Sequence, residues 1–271
     1  MGLSVWKFRA LLIFILSIFI AITVALFSRQ SEVKPTDISM LPSVPTPVEQ
    51  ITNTKIQPQI RLDSNKDISL NYRPKYEILW ANPLNYGERY KQDIYGRPVY
   101  NQPIIVLHET VYSAASAINH FQTPHINEKE QASYHTLIKL DGTIVYIVPP
   151  DKRAFGAANS VFEGEKGLET VKTHPDLAPS VNNFAYHVSL ETPSDGRNSQ
   201  RRHSGYNDTQ YQSLVWLIAQ SRVPDSRITT HRAVDRAGNR IDPRSFDRKK
   251  FLNILHSYRR RSSRVPLTLI N

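Results

Sequence analysis

The run Gln102-Pro-Ile-Ile-Val-Leu-His108 is short, continuously apolar and closed by an imidazole. That is the pattern of a strand buried on both faces, in a sheet with helices on either side. Working outward, Ser113 to Phe121 is Ala-rich and reads as a helix. Tyr134 to Lys139 and Thr143 to Val148 flank Asp141-Gly142, the dipeptide of a tight hairpin. Tyr186 to Glu191 alternates and reads as a further strand. Asn207 to Ser221 carries Tyr211, Leu214, Val215 and Ile218 at helical spacing behind Asp208-Thr209. Arg227 to His231 reads as a short strand, and Phe246 to Tyr258 as a closing helix. The order β-α-β-β-loop-β-α-β-α predicts one α/β domain over residues 76–262, with a central mixed β-sheet flanked by helices.

Chemically capable side chains fall at the ends of these strands, where α/β sheets build their sites. His108 closes the first strand, Glu191 the fourth and His231 the fifth. The loop after His231 is long enough to bring Asp242 back. Two imidazoles and a carboxylate would give a tetrahedral zinc three ligands and leave the fourth position for water, whose pKa such an ion brings toward ~7. The spacing is not the helical His-Glu-x-x-His pattern, and with nine histidines present the ordinary reading of any one is structural. His135, His187 and His203 are read that way. The chain has no Cys, which excludes disulfides, thiolate metal sites, iron–sulfur clusters and a Cys nucleophile. No Gly-x-Ser-x-Gly occurs, which argues against a serine hydrolase.

The 271 residues carry 34 Lys+Arg against 24 Asp+Glu, a net charge of +10 that favours an anionic partner. Ala10 to Phe27 is apolar except for Ser17 and Thr23. At ~1.5 Å per residue it spans about 27 Å, close to a hydrocarbon core of ~30 Å. Lys7 and Arg9 before it place residues 1–9 in the cytoplasm. The expectation is therefore a single transmembrane signal-anchor at 10–27. The rest of the chain would lie on the outer side; the alternative is a long signal peptide and a secreted product. Residues 28–75, with Pro35, Pro42, Pro45, Pro47 and Pro58, read as a Pro-rich tether, and 263–271 as a tail. No internal repeat occurs. Export and the lack of a recognition motif argue against nucleic acid as the partner.

Five segments then combine in order: Ile104-Ile-Val-Leu-His-Glu-Thr110, Ser133-Tyr-His-Thr-Leu-Ile-Lys-Leu-Asp-Gly-Thr143, Ala154-Phe-Gly-Ala-Ala-Asn-Ser160, Val188-Ser-Leu-Glu191, and Thr230-His-Arg-Ala-Val-Asp235 with Arg240-Ile-Asp-Pro243. Together, over about 98–250, they resemble the zinc-dependent N-acetylmuramoyl-L-alanine amidases of type 2, whose fold peptidoglycan recognition proteins share. The resemblance implies cleavage of the amide between N-acetylmuramic acid and L-alanine, in peptidoglycan or muropeptides. It implies His108, His231 and Asp242 as Zn2+ ligands, Glu191 as the catalytic acid/base, Arg240 where many members use Lys to stabilise the oxyanion, and Tyr134 where some place an active-site Tyr. The chemistry suits these residues. A carboxylate that takes a proton from water and returns it to nitrogen contributes typically ~10²–10⁴-fold, and a fixed cation stabilises oxyanion charge. Arg cannot donate the proton, so that task falls to Glu191. The chain departs from the family at Phe155-Gly-Ala-Ala158, where Trp-His-Ala-Gly is frequent, and at Arg244, where Gly follows the Asp-Pro pair. A catalytically silent peptidoglycan-binding module is the competing expectation, and the complete His/His/Asp/Glu set argues against it.

Overall fold

The computed structural model describes residues 36–45 and 72–262. Its strands are β1 (Tyr76–Ile78), β2 (Tyr86–Glu88), β3 (Ile104–Glu109), β4 (Thr136–Ile138), β5 (Ile144–Tyr146), β6 (Lys152–Ala154), β7 (Phe162–Gly164), β8 (Gly167–Glu169), β9 (Ala185–Leu190) and β10 (Ile228–Thr230). The α-helices are α1 (Ala114–Gln122), α2 (Asp208–Ala219), α3 (His231–Val234) and α4 (Arg248–Ser262). Six strands form one sheet in the order β1-β5-β4-β9-β3-β10, and only the β4–β5 hairpin is antiparallel. The expected mixed sheet is therefore present. The short ribbons β2–β6 and β7–β8 are additional to the expected strands, and their sequences YGE, KRA, FEG and GLE have no β-branched run to mark them.

β3 and β9 are interior strands of the sheet, and every residue of both is buried. That is why β3 is a continuous apolar run. In parallel register Leu107 lies beside Val188 and His108 beside Ser189. Since successive side chains point to opposite faces, Ile105, Leu107, Tyr186, Val188 and Leu190 form one layer. They pack on Leu214, Ile218, Phe251 and Leu255 of α2 and α4. On the other face Leu137, Val145 and Ile147 meet Ala114, Ile118 and Phe121 of α1. His108 and His187 belong to this second face.

Local chemistry sets the element ends. Ser113 caps α1, its side chain accepting from Ser116 N. Asn207 and Gln210 form a reciprocal capping box at the start of α2, which satisfies two amides that the helix cannot. Asp247 accepts from Lys250 N, so α4 starts at Arg248 rather than at Phe246. Gly142 turns the β4–β5 hairpin with φ +82°, and a Cβ there would lie 2.5 Å from Thr209 Cγ2. Residues 36–45, inside the stretch read as tether, touch the α2–α4 layer. Leu41 is 5% exposed within that cluster, Met40 and Val44 pack against it, and Arg222 N donates to Met40 O at 2.9 Å. The expected anchor, most of the tether and the tail lie outside the described residues. Among the described residues no helix is long and apolar enough to cross a membrane.

Candidate active site

β9, β3 and β10 run parallel, so their carboxyl ends share one edge of the sheet. His108 stands near the end of β3. His231 follows β10 directly but opens α3 instead of closing the strand, because Thr230 accepts from Ala233 N and starts the helix there. The loop beyond is closed by Asp235, whose carboxylate accepts the amides of Ala237, Asn239 and Arg240 at 3.0, 2.8 and 2.8 Å. Arg232 N then donates to Asp242 O at 2.9 Å, and Asp242 is folded back as the sequence requires.

The result is a compact donor set. His231 Nδ1 lies 3.1 Å and His108 Nδ1 3.4 Å from Asp242 Oδ2. One ligand atom from each of His108, His231 and Asp242 lies within 4.8 Å of the others, and all three residues are buried. His108 Nδ1 makes no hydrogen bond although its residue is wholly buried. Donor atoms about 2.1 Å from a tetrahedral ion stand about 3.4 Å from one another. The residues present therefore fit a zinc-sized ion, and the orphaned nitrogen is the atom that such an ion would satisfy. Burial pushes the His108 imidazole down to about 4, helped by the charges of His231 and Arg240, so it is neutral at pH 7. Burial would raise Asp242, but His108 and His231 beside it hold its carboxyl well below the usual carboxylate range. A neutral His108 imidazole and an ionised Asp242 carboxylate are the protonation states that metal binding needs of these two groups.

The other expected site residues are placed around this set. Tyr134 stacks on His108 with ring centroids 4.5 Å apart. Burial and then the Asp242 charge push its phenol up, so it stays protonated. Glu191 follows β9 on the face of His108, since it lies two residues beyond Ser189. It is 8% exposed rather than a surface strand residue. Its Oε1 accepts Ala114 N and its Oε2 accepts Leu140 N, both at 2.9 Å, with Arg197 Nη2 at 3.4 Å. The carboxylate is thus fixed between α1 and the β4–β5 hairpin, and Oε2, with Leu140 N as its one donor, keeps a second lone pair. Arg240 is exposed and makes no ion pair with Asp242, so the simple salt bridge does not account for it.

Sequence reasoning passed over the groups behind these. Glu109 is buried beside His108 and binds Arg244 Nε, His203 Nε2 (3.0 Å) and Tyr206 Oη (2.8 Å). Arg244 also donates to the carbonyls of Gly196, Asn198 and Gln200, tying the loop beyond β9 to the Asp-Pro turn. That explains Arg244 where the family has Gly. At the other departure, Gly156 makes room for an imidazole: an added Cβ would lie 2.5 Å from His187 Cγ. His203 and His187, read from the sequence as structural, both stand within one contact of the site. Isolated histidines far apart in sequence give no signal of this.

A profile of the Amidase_2 family, N-acetylmuramoyl-L-alanine amidase, matches residues 98–245. The chain belongs to this family. The match covers every residue of the site described above. The amidase is similar to a selenomethionine derivative of AmpD (19% identity, 70% of this chain and 99% of that one, TM-score 0.45). It is also similar to AmpD of Citrobacter freundii in solution (21%, 72% and 95%, 0.41) and to the amidase LysC of Clostridium intestinale (18%, 68% and 99%, 0.41). Comparison with curated proteins gives no match.

Proposed function

We propose that this N-acetylmuramoyl-L-alanine amidase is zinc-dependent and works on peptidoglycan or its muropeptides outside a bacterial plasma membrane, to which residues 10–27 anchor it. The observation that carries the zinc reading is the unpartnered, buried His108 Nδ1 facing His231 Nδ1 and Asp242 Oδ2. His108, His231 and Asp242 would hold the ion, which when bound supplies Lewis acidity and lowers the pKa of water.

The chain's own residues do the rest. Hydrolysis adds OH to the lactyl carbonyl carbon and H to the nitrogen of L-alanine as the C–N bond breaks. Glu191, held by two backbone amides, takes the water proton on a free lone pair and returns it to the leaving nitrogen. Arg240 brings a permanent positive charge to the rim, where oxyanion charge develops. The Tyr134 phenol keeps its proton and offers a donor beside His108. The net charge of +10 suits an anionic wall polymer.

The test is Glu191→Gln, which changes the charge and keeps the side-chain shape. The expected result is full zinc content with kcat on muropeptides reduced at least about 100-fold. Wild-type turnover in a folded, zinc-loaded Glu191→Gln protein would remove Glu191 from the mechanism.

A further inference from the structure

His187 sits behind the candidate ligands, wholly buried on β9. Its Nδ1 lies 2.9 Å from His108 Nε2, while its own Nε2 has no partner. An unpaired buried polar group is costly, so the ring is held there by its surroundings. Its backbone N–H donates to His135 Nδ1 at 2.9 Å. His135 is itself fixed by stacking on Tyr186, with centroids 4.5 Å apart, and by Lys152 O at 3.2 Å. On the other side the ring lies against Gly156, whose missing Cβ would be 2.5 Å from both Cγ and Nδ1. The position is over-determined, and its outcome is one ring nitrogen aimed at His108 Nε2.

We propose that His187 is a positioning residue that holds His108 in the one tautomer able to bind a metal, with the proton on Nε2 and the lone pair on Nδ1. This rests on the zinc reading above. A neutral imidazole carries one proton and two possible sites for it. The Asp242 carboxylate, 3.4 Å from His108 Nδ1, attracts that proton to Nδ1, where it would occupy the position a metal needs. An acceptor at Nε2 opposes this, and His187 Nδ1 is the acceptor there. Groups that orient a ligand from behind typically change metal affinity by about 10–100-fold.

The experiment is zinc competition against a chromophoric chelator on the full chain, with the melting temperature of each metal-free protein recorded alongside. Wild type is expected to bind one zinc. His187→Leu removes the acceptor, and zinc affinity should fall about 10–100-fold. His187→Asn places Oδ1 where Nδ1 stands and should restore affinity to within about threefold of wild type. Gly156→Ala displaces the ring and should behave like the Leu variant. The metal-free Leu variant should melt close to wild type, since it loses the unpaired Nε2, and excess zinc should restore its turnover. A folded Leu variant that binds zinc as tightly as wild type overturns the proposal. So does an Asn variant as weak as Leu, because then packing and not the acceptor matters. If the Leu variant does not fold, Asn against Gly156→Ala decides on the same terms. Wild type without zinc overturns the metal reading, and this inference with it.

Discussion

Replacing Arg244 with Met should destabilise the domain by about 4 kcal/mol. Arg244 is 3% exposed and Glu109 is 2% exposed, so their ion pair is shielded from water on both sides. Removing the guanidinium leaves the Glu109 carboxylate with only His203 Nε2 and Tyr206 Oη as donors. Breaking one partner of a buried pair costs about 3–5 kcal/mol, because the other charge stays buried. Of the three carbonyls released, those of Asn198 and Gln200 belong to exposed residues and regain water, and the cost of freeing that of buried Gly196 falls within the same range. For a domain of this size each kcal/mol lowers the melting temperature by about 2–4 °C, so a drop of about 8–16 °C is expected. Urea denaturation of the zinc-free protein reads the free energy directly. The double variant Glu109→Gln with Arg244→Met should regain a large part of the loss, since no charge then stays buried. A single-variant cost below about 1.5 kcal/mol, or a double variant no better than the single, would refute the account of this cluster.

Leu41→Ala should cost about 2–3 kcal/mol in urea denaturation, because Leu41 lies 5% exposed in the α2–α4 cluster; a cost near zero would show that 36–45 does not stay docked in solution. The zinc-free protein should lose stability on acidification. His135 is held well below its usual range by burial and by the Arg89 charge, His187 by burial and His108, and His108 is pushed down to about 4. Each is neutral in the fold but protonated in the unfolded chain below ~6.5, so the unfolded state gains protons as pH falls. The loss therefore begins near pH 6.5 and grows toward about 4, by up to about 1.4 kcal/mol per pH unit for each histidine. A urea midpoint unchanged between pH 7 and 5 would contradict this.

The parts of the fold legible in sequence were those where one physical demand dominates. β3 is buried on both faces and reads as an apolar run, α2 shows its period although its cap is Asn207 and not the Asp208-Thr209 pair, and Asp141-Gly142 marks a turn that needs a positive φ. Strand ends and one closing loop made His108, His231 and Asp242 candidates, but among nine histidines it is the family resemblance that singles them out. Hidden were contacts between distant, chemically ordinary residues: His187 with His108, Glu109 with Arg244, and Leu41 with the core. Pro42 and Pro45 after Leu41 read as tether, and only tertiary packing shows what the apolar residue before them does. β1, β2, β6, β7 and β8 are three residues each and lack the β-branched runs that mark the equally short β4, β5 and β10.

The most direct test of the central claim is mass spectrometry of muropeptides treated with the enzyme, before and after removal of its metal. The account predicts one bond cut, between the lactyl carbonyl and L-alanine. The product pair should sum to the substrate plus one water, be lost with chelator and return on adding zinc. The same products in the presence of excess chelator, or cleavage at a different bond, would contradict it.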